Sequence, residues 1–109
     1  MSPKPNALRF AKEYRRRLSA ILKQPIQVIL FGSQARGDAV PGSDIDLFVV
    51  LPNLEKNALD TALDIAWEIG FEAGVVLSVV PATKGEIARL AASPFYQAVQ
   101  REGGRLSLS

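Results

Sequence analysis

The 109-residue chain contains no cysteine and no histidine. Without cysteine there is no disulfide framework and no thiolate metal centre. Without histidine there is no Ser-His-Asp or Cys-His nucleophile, no imidazole zinc site and no imidazole base. Any metal must therefore be held by oxygen, which narrows the choice to hard cations such as Mg²⁺ or Mn²⁺. Long apolar runs are missing as well; none approaches the roughly 20 residues that span a bilayer. The N-terminus is basic and has no apolar segment of the kind a secretion signal carries, so a cytoplasmic setting is the default expectation.

What is present describes an ordinary soluble globular protein, 48% hydrophobic and 22% charged,. The length suits one domain over residues 1–109 with a modest core,. The net charge of +2 conceals an asymmetry. Residues 1–24 hold seven Lys/Arg against one acid, Glu13, while the remainder holds six against ten acids. A basic leading segment thus precedes a mildly acidic body.

Periodicity predicts a helix over Asn6–Lys23, with Ala7, Phe10, Ala11, Tyr14, Leu18, Ile21 and Leu22 on one face and Pro25 closing it,. Ile26–Phe31 and Asp44–Leu51 read as strands, separated by a Gly/Pro-rich turn region, Gly32–Ser43,. A second helix is expected over Asn57–Ala73, with Leu59, Ala62, Leu63, Ala66, Ile69 and Gly70 inward and Gly74 as its left-handed terminator,. Trp67 is placed at the edge of that inner face, as a core side chain, with a partner surface as the alternative. A third strand, Val75–Val80, is expected to stop at Pro81. Thr83-x-x-Glu86 fits a capping box, Ser93-Pro94 fits a helix start, and Leu106-Ser-Leu fits a short edge strand or a frayed tail,.

The chemistry concentrates where the first two strands meet the turn. Gly32-Ser33 follows an apolar strand directly, and ten residues later comes Asp44-Ile-Asp46. Glycine lets a backbone approach phosphate closely, and a helical turn opening at Ser33 would aim free N–H groups at the anion. Two acids two apart on a strand share one face, which is unfavourable unless a cation joins them. Arg36 lies inside the turn, where its planar guanidinium suits phosphate oxygens,. Each token alone has a plainer reading: Ser33 as a turn cap, Asp44 as a strand-end acid, Arg36 as the surface partner of Asp38. Their order, spacing and flanking strands together point to a nucleotide site.

Gly32-Ser33-x-x-Arg36-Gly37 followed by Ser43-Asp44-Ile45-Asp46-Leu47 resembles the DNA polymerase β-like nucleotidyltransferases, and most closely the minimal nucleotidyltransferase (MNT) domain of antitoxins paired with HEPN toxins. The signature covers about residues 26–51. The resemblance implies an α+β fold: a small mixed β-sheet flanked by α-helices, palm-like. It implies nucleotide binding by Gly32, Ser33, Arg36 and Ser43, and Mg²⁺ or Mn²⁺ held by the catalytic pair Asp44 and Asp46. It also implies transfer of a nucleoside monophosphate, AMP from ATP, onto a hydroxyl of a HEPN-type protein. A small-molecule transferase of the aminoglycoside-modifying kind fits less well, since no acidic second domain is present to hold a cationic sugar.

The chain departs from this pattern in one respect. The family's third carboxylate aligns with Ser78, a neutral hydroxyl that ligates Mg²⁺ weakly,. A reduced active site, an acid borrowed from Glu72, and a degenerate, non-catalytic binding module are the resulting alternatives. The basic residues Arg9, Lys12, Arg15, Arg16, Arg17 and Lys23 suggest a strip for an acidic partner or a nucleic acid, or else a solvated helix face,. No aromatics are interleaved to stack bases, so nucleic acid is not favoured.

Overall fold

The computed structural model describes residues 5–32, 44–90, 93, 94, 97, 101, 107 and 108. In chain order these form α1 (Pro5–Leu22), β1 (Gln27–Phe31), β2 (Ile45–Leu51), α2 (Lys56–Ala73), β3 (Leu77–Thr83), α3 (Lys84–Leu90) and β4 (Ser107–Leu108). The strands make one mixed sheet in the order β3-β2-β1-β4. β1 pairs antiparallel with β2 and with β4, whereas β2 and β3 run parallel. A parallel neighbour needs a crossover, and α2 supplies it. The protein is thus an α+β fold with a small mixed sheet flanked by helices.

Residue alternation decides which face of the sheet each helix covers. Val28 and Leu30 of β1, Ile45, Leu47, Val49 and Leu51 of β2, and Leu77 of β3 are buried against Ala7, Ala11, Tyr14 and Leu18 of α1 and Ala58, Ala62, Ile65, Ala66 and Ile69 of α2. On the opposite face Ile29, Phe48, Val50 and Ala82 form a smaller cluster, with Phe31, Val80 and Ile87 of α3 packed on it. Because both faces are covered, Leu47–Leu51 are buried without interruption, and alternation does not show in that run,.

Three polar contacts tie α1 to its neighbours. The Tyr14 hydroxyl donates to the Ala62 carbonyl (2.8 Å), tying α1 to α2, and burial pushes its phenol well above the ordinary value. The Arg15 Nε donates to the Ile26 carbonyl (3.0 Å) at the entry to β1. Arg17 reaches Glu72 across the two helices (3.1 Å).

Both long helices end in the same way. Lys23 has φ +58°, and Gln24 N–H returns to the Ser19 carbonyl (3.3 Å). Gly74 has φ +69°, and Val75 N–H returns to the Gly70 carbonyl (3.0 Å). These are Schellman terminations, which need one left-handed residue each. Gly74 supplies it freely, whereas Lys23 does so against its own Cβ.

Four sequence expectations are corrected. β3 runs on through Pro81 to Thr83. Among the described residues only β2 lies beside it, at the sheet's edge, so a residue lacking an N–H is tolerated there,. Ile21 and Leu63 are exposed rather than inward. Ala58 and Ile65 take core positions instead, because α2 packs on α1 as well as on the sheet. Trp67 is not a core side chain; it is 68% exposed. The Thr83–Glu86 capping box forms as expected, with Glu86 N–H donating to Thr83 Oγ1 (3.2 Å) and Thr83 N–H to Glu86 Oε1 (3.1 Å). Ser107–Leu108 pair with β1 as a short edge strand.

Candidate active site at the β1–β2 bend

The register of the sheet brings three of the singled-out residues to one place. Phe31, the last residue of β1, stands opposite Asp46, and Asp46 stands beside Ser78 of β3. Neighbouring residues in register share a face, so Asp46 and Ser78 lie on the Phe48–Val80 side, away from α1 and α2,. Ile45 is buried in the opposite layer, which sends the positions on either side of it, Asp44 and Asp46, toward this face,. Asp44 is exposed, just ahead of the strand, and Asp46 is half-buried. The Ile45 N–H donates to the Val76 carbonyl (2.9 Å), anchoring this end of β2 to the start of β3.

Gly32 completes the group. It follows β1 directly and has φ +77°, a conformation that L side chains rarely adopt,. A Cβ built there would fall 3.3 Å from Cγ of Asp46 and collide with Oδ2. The backbone angle therefore favours glycine, and the Asp46 carboxylate lies close against its Cα, where a side chain would displace it. The acid and the bend form one unit, and any larger residue at 32 would push Asp46 out of position.

Ser33, Arg36 and Ser43 lie outside the described residues. Among the described residues no group of three or more acidic, cysteine or histidine side chains could hold a metal. The donor set at hand is two carboxylates with a hydroxyl in register. That set suits one Mg²⁺, which keeps several waters and binds through one or two carboxylates plus substrate phosphates. Glu72 does not join it. It sits at the end of α2, ion-paired to Arg17, in the layer behind the sheet.

The basic strip is largely committed elsewhere. Arg16 and Arg17 both hold Glu13, at 2.6 and 2.8 Å, and Arg15 holds Ile26. The two guanidinium groups lower the Glu13 carboxyl to about 2. A recess of about 820 Å³ opens at the far end of the sheet, lined by Pro52, Leu54, Thr83, Lys84 and Arg89 among others. Its acid, Glu86, is occupied in the capping box, so this recess lacks the carboxylate pair that metal-assisted chemistry needs,.

The sheet order, the glycine bend and the acids at the start of β2 have a counterpart among known families. A family model for the nucleotidyltransferase domain matches residues 11–100. The chain belongs to the nucleotidyltransferase domain family. A Methanocaldococcus jannaschii protein, provisionally named a protein adenylyltransferase, is 57% identical over 35 residues. That stretch covers 32% of this chain and 24% of the relative. No solved structure matches. In this nucleotidyltransferase domain a hydroxyl, that of Ser78, stands in register beside Asp46. No described helix is long and apolar enough to cross a membrane.

Trp67 belongs to a surface feature that the sequence shows only in part. Trp67 and Phe71 stack in the open, with centroids 5.2 Å apart and planes 12° from parallel. Their i, i+4 spacing was the available signal, but the same spacing fits an inward face equally well.

Proposed function

We propose that residues 1–109 act as one minimal nucleotidyltransferase domain that transfers AMP from ATP onto a hydroxyl of a protein partner of the HEPN type. Asp44 and Asp46 would hold a divalent ion, Mg²⁺ or Mn²⁺, and Gly32, Ser33, Arg36 and Ser43 would hold the triphosphate. When bound, the ion supplies charge neutralisation of the phosphates and a more acidic acceptor hydroxyl. The acceptor oxygen forms a bond to the α-phosphorus as the bond to the bridging oxygen of the β-phosphate breaks. Pyrophosphate leaves with that electron pair, and the hydroxyl proton passes to solvent. Within this scheme Gly32 keeps the bend close to Asp46, so that phosphate and carboxylate face one small volume.

The observation that carries the reading is the contact of Asp46 with the Cα of Gly32 in a family member whose preceding acid, Asp44, shares that face. The acceptor is argued by chemistry and by likeness. The hydroxyl attack at phosphorus supplies the chemistry, and the name of the archaeal relative points to protein as acceptor.

Incubation with α-³²P-ATP, Mg²⁺ and the partner should label the partner. The Asp44→Ala/Asp46→Ala double variant should lose at least about 10²-fold of that label, as expected for removal of groups that stabilise transition-state charge. Label that survives the double variant contradicts the assignment. A second reading, a non-catalytic binding module acting as an antitoxin by contact, is favoured by Ser78 alone. Tight complex formation without any label supports it, and Ser78→Asp should then strengthen Mn²⁺ binding.

A further inference from the structure

The exposed aromatic pair belongs to a larger apolar surface. Leu63, Trp67, Gly70, Phe71, Val75 and Val76 border a groove of about 400 Å³ between the outer side of α2 and the start of β3. Trp67 is 68% exposed and Phe71 76%, with Leu63 and Val76 each more than half exposed. Scattered single apolar residues are normal on a surface, but a contiguous patch with stacked rings is a feature of interaction sites.

Charge borders the groove on one side. Asp60, Asp64, Glu68 and Glu72 follow one another at i, i+4 spacing, one position beyond Leu63, Trp67 and Phe71,. Asp60 is paired with Lys56 and Glu72 with Arg17. Among the described residues Asp64 and Glu68 form no hydrogen bond or close ion pair, although the Lys56 ammonium, held by Asp60, is near enough to feel the charge of Asp64. An apolar trough with two carboxylates along its rim that make no hydrogen bond complements a helix whose apolar stripe is flanked by lysine or arginine. A second copy of this surface offers no such cation, because no residue lining the groove is basic. Patch-on-patch pairing would only add negative charge along the seam.

Position adds a further argument. The groove ends at Val76, two residues before Ser78, and the Val76 carbonyl is the one that accepts from Ile45 between the two aspartates. The groove therefore opens at the same end of the sheet as the candidate active site, in the layer behind it.

We propose that the α2–β3 groove docks an amphipathic helix of a separate protein, with its basic flank against Asp64 and Glu68, and so holds that protein at the end of the sheet where its acceptor hydroxyl can reach round to Asp44 and Asp46. The last clause rests on the transfer reading above; the docking itself does not. Trp67 and Phe71 are the anchors, since truncation of a buried interface aromatic commonly removes most of an affinity.

Trp67 is the chain's single tryptophan, so its emission reports this groove alone. The probes are three synthetic amphipathic peptides of about 18 residues, roughly five helical turns. They share one Leu/Phe stripe and carry Lys/Arg, Ser or Glu flanks. The basic peptide should shift Trp67 emission to the blue in a saturable way, and bind at least about fivefold more tightly than the acidic one at low salt. Phe71→Ser should weaken it about thirtyfold. Asp64→Lys/Glu68→Lys should reverse the order of the basic and acidic peptides. Both variants change exposed positions, and circular dichroism checks that they remain folded. Equal responses to all three peptides, or no blue shift at any concentration, overturn the proposal. A blue shift that grows with protein concentration alone, with a doubled mass in sedimentation, assigns the groove to a second copy and overturns it too. Asp44→Asn/Asp46→Asn should keep the peptide response while losing label transfer, so failure of docking and failure of transfer are separate results.

Discussion

Lys23 illustrates how a single side chain can work against its backbone. Its left-handed angle closes the Schellman turn of α1, and any Cβ is unfavourable there,. Lys23→Gly should stabilise the fold by about 0.5–1 kcal/mol, read as a higher denaturant midpoint with unchanged slope. Glu13 makes the opposite kind of contribution. Arg16 and Arg17 hold its carboxyl at about 2, below the ordinary 4.5. The folded state therefore binds this proton less readily than the unfolded chain does. The resulting stabilisation is complete above about pH 4.5 and fades as pH falls toward 2, when the carboxyl protonates in both states,. Glu13→Gln should flatten that acid limb in denaturation curves taken from neutral pH downward. The effect is modest, since Arg16 is well exposed and water screens the pair,. A variant with an unaltered acid limb would show that the ion pair has no weight in folding.

Among the elements, the end of α2 is the most tightly specified. A Cβ on Gly70 would come within 2.6 Å of the Val75 carbonyl oxygen, so the chain can turn from helix to strand only over a glycine. Gly70→Ala should destabilise by about 1–3 kcal/mol, the range for forced overpacking. It should also disturb Trp67 and Phe71, the neighbouring anchors of the groove. Urea denaturation followed by Trp67 emission reads both effects; unchanged stability would contradict the close approach. The elements were unevenly legible in the sequence. Gly74 and the Thr83–Glu86 box act within a few residues, so local chemistry specifies them. Pro81 was misleading because tolerance of a missing N–H depends on β3 lying at the sheet's edge, a fact about pairing partners far away in sequence,. The inward side of α2 was misjudged at Leu63, Ile65 and Trp67 for a related reason. Apolar residues surround much of that helix, and periodicity alone does not distinguish the core from a docking surface.

For the chain taken as one unit, the α+β architecture and the family were written in the alternation of helix-period and strand-period segments around the Gly-Ser and Asp-x-Asp motifs. The candidate site was legible only as proximity in sequence. That Asp46 lies against the Cα of Gly32, and that Ser78 falls beside Asp46, depends on strand register, which no local pattern reveals,. The basic leading segment was the least legible part. Arg15, Arg16 and Arg17 turned out to be tied to Ile26, Glu13 and Glu72, contacts that composition does not show.

Calorimetric titration of the protein with Mg²⁺ and ATP probes the carboxylate–glycine unit without needing an acceptor. Saturable heat should appear at or below millimolar ATP. It should weaken at least about tenfold in Asp44→Asn/Asp46→Asn, the scale of one lost charge-assisted contact. Gly32→Ala, which drives Asp46 off the bend, should weaken it similarly. Absence of heat at millimolar ATP, or heat that is the same in all three proteins, would contradict a triphosphate held between Gly32 and the paired aspartates.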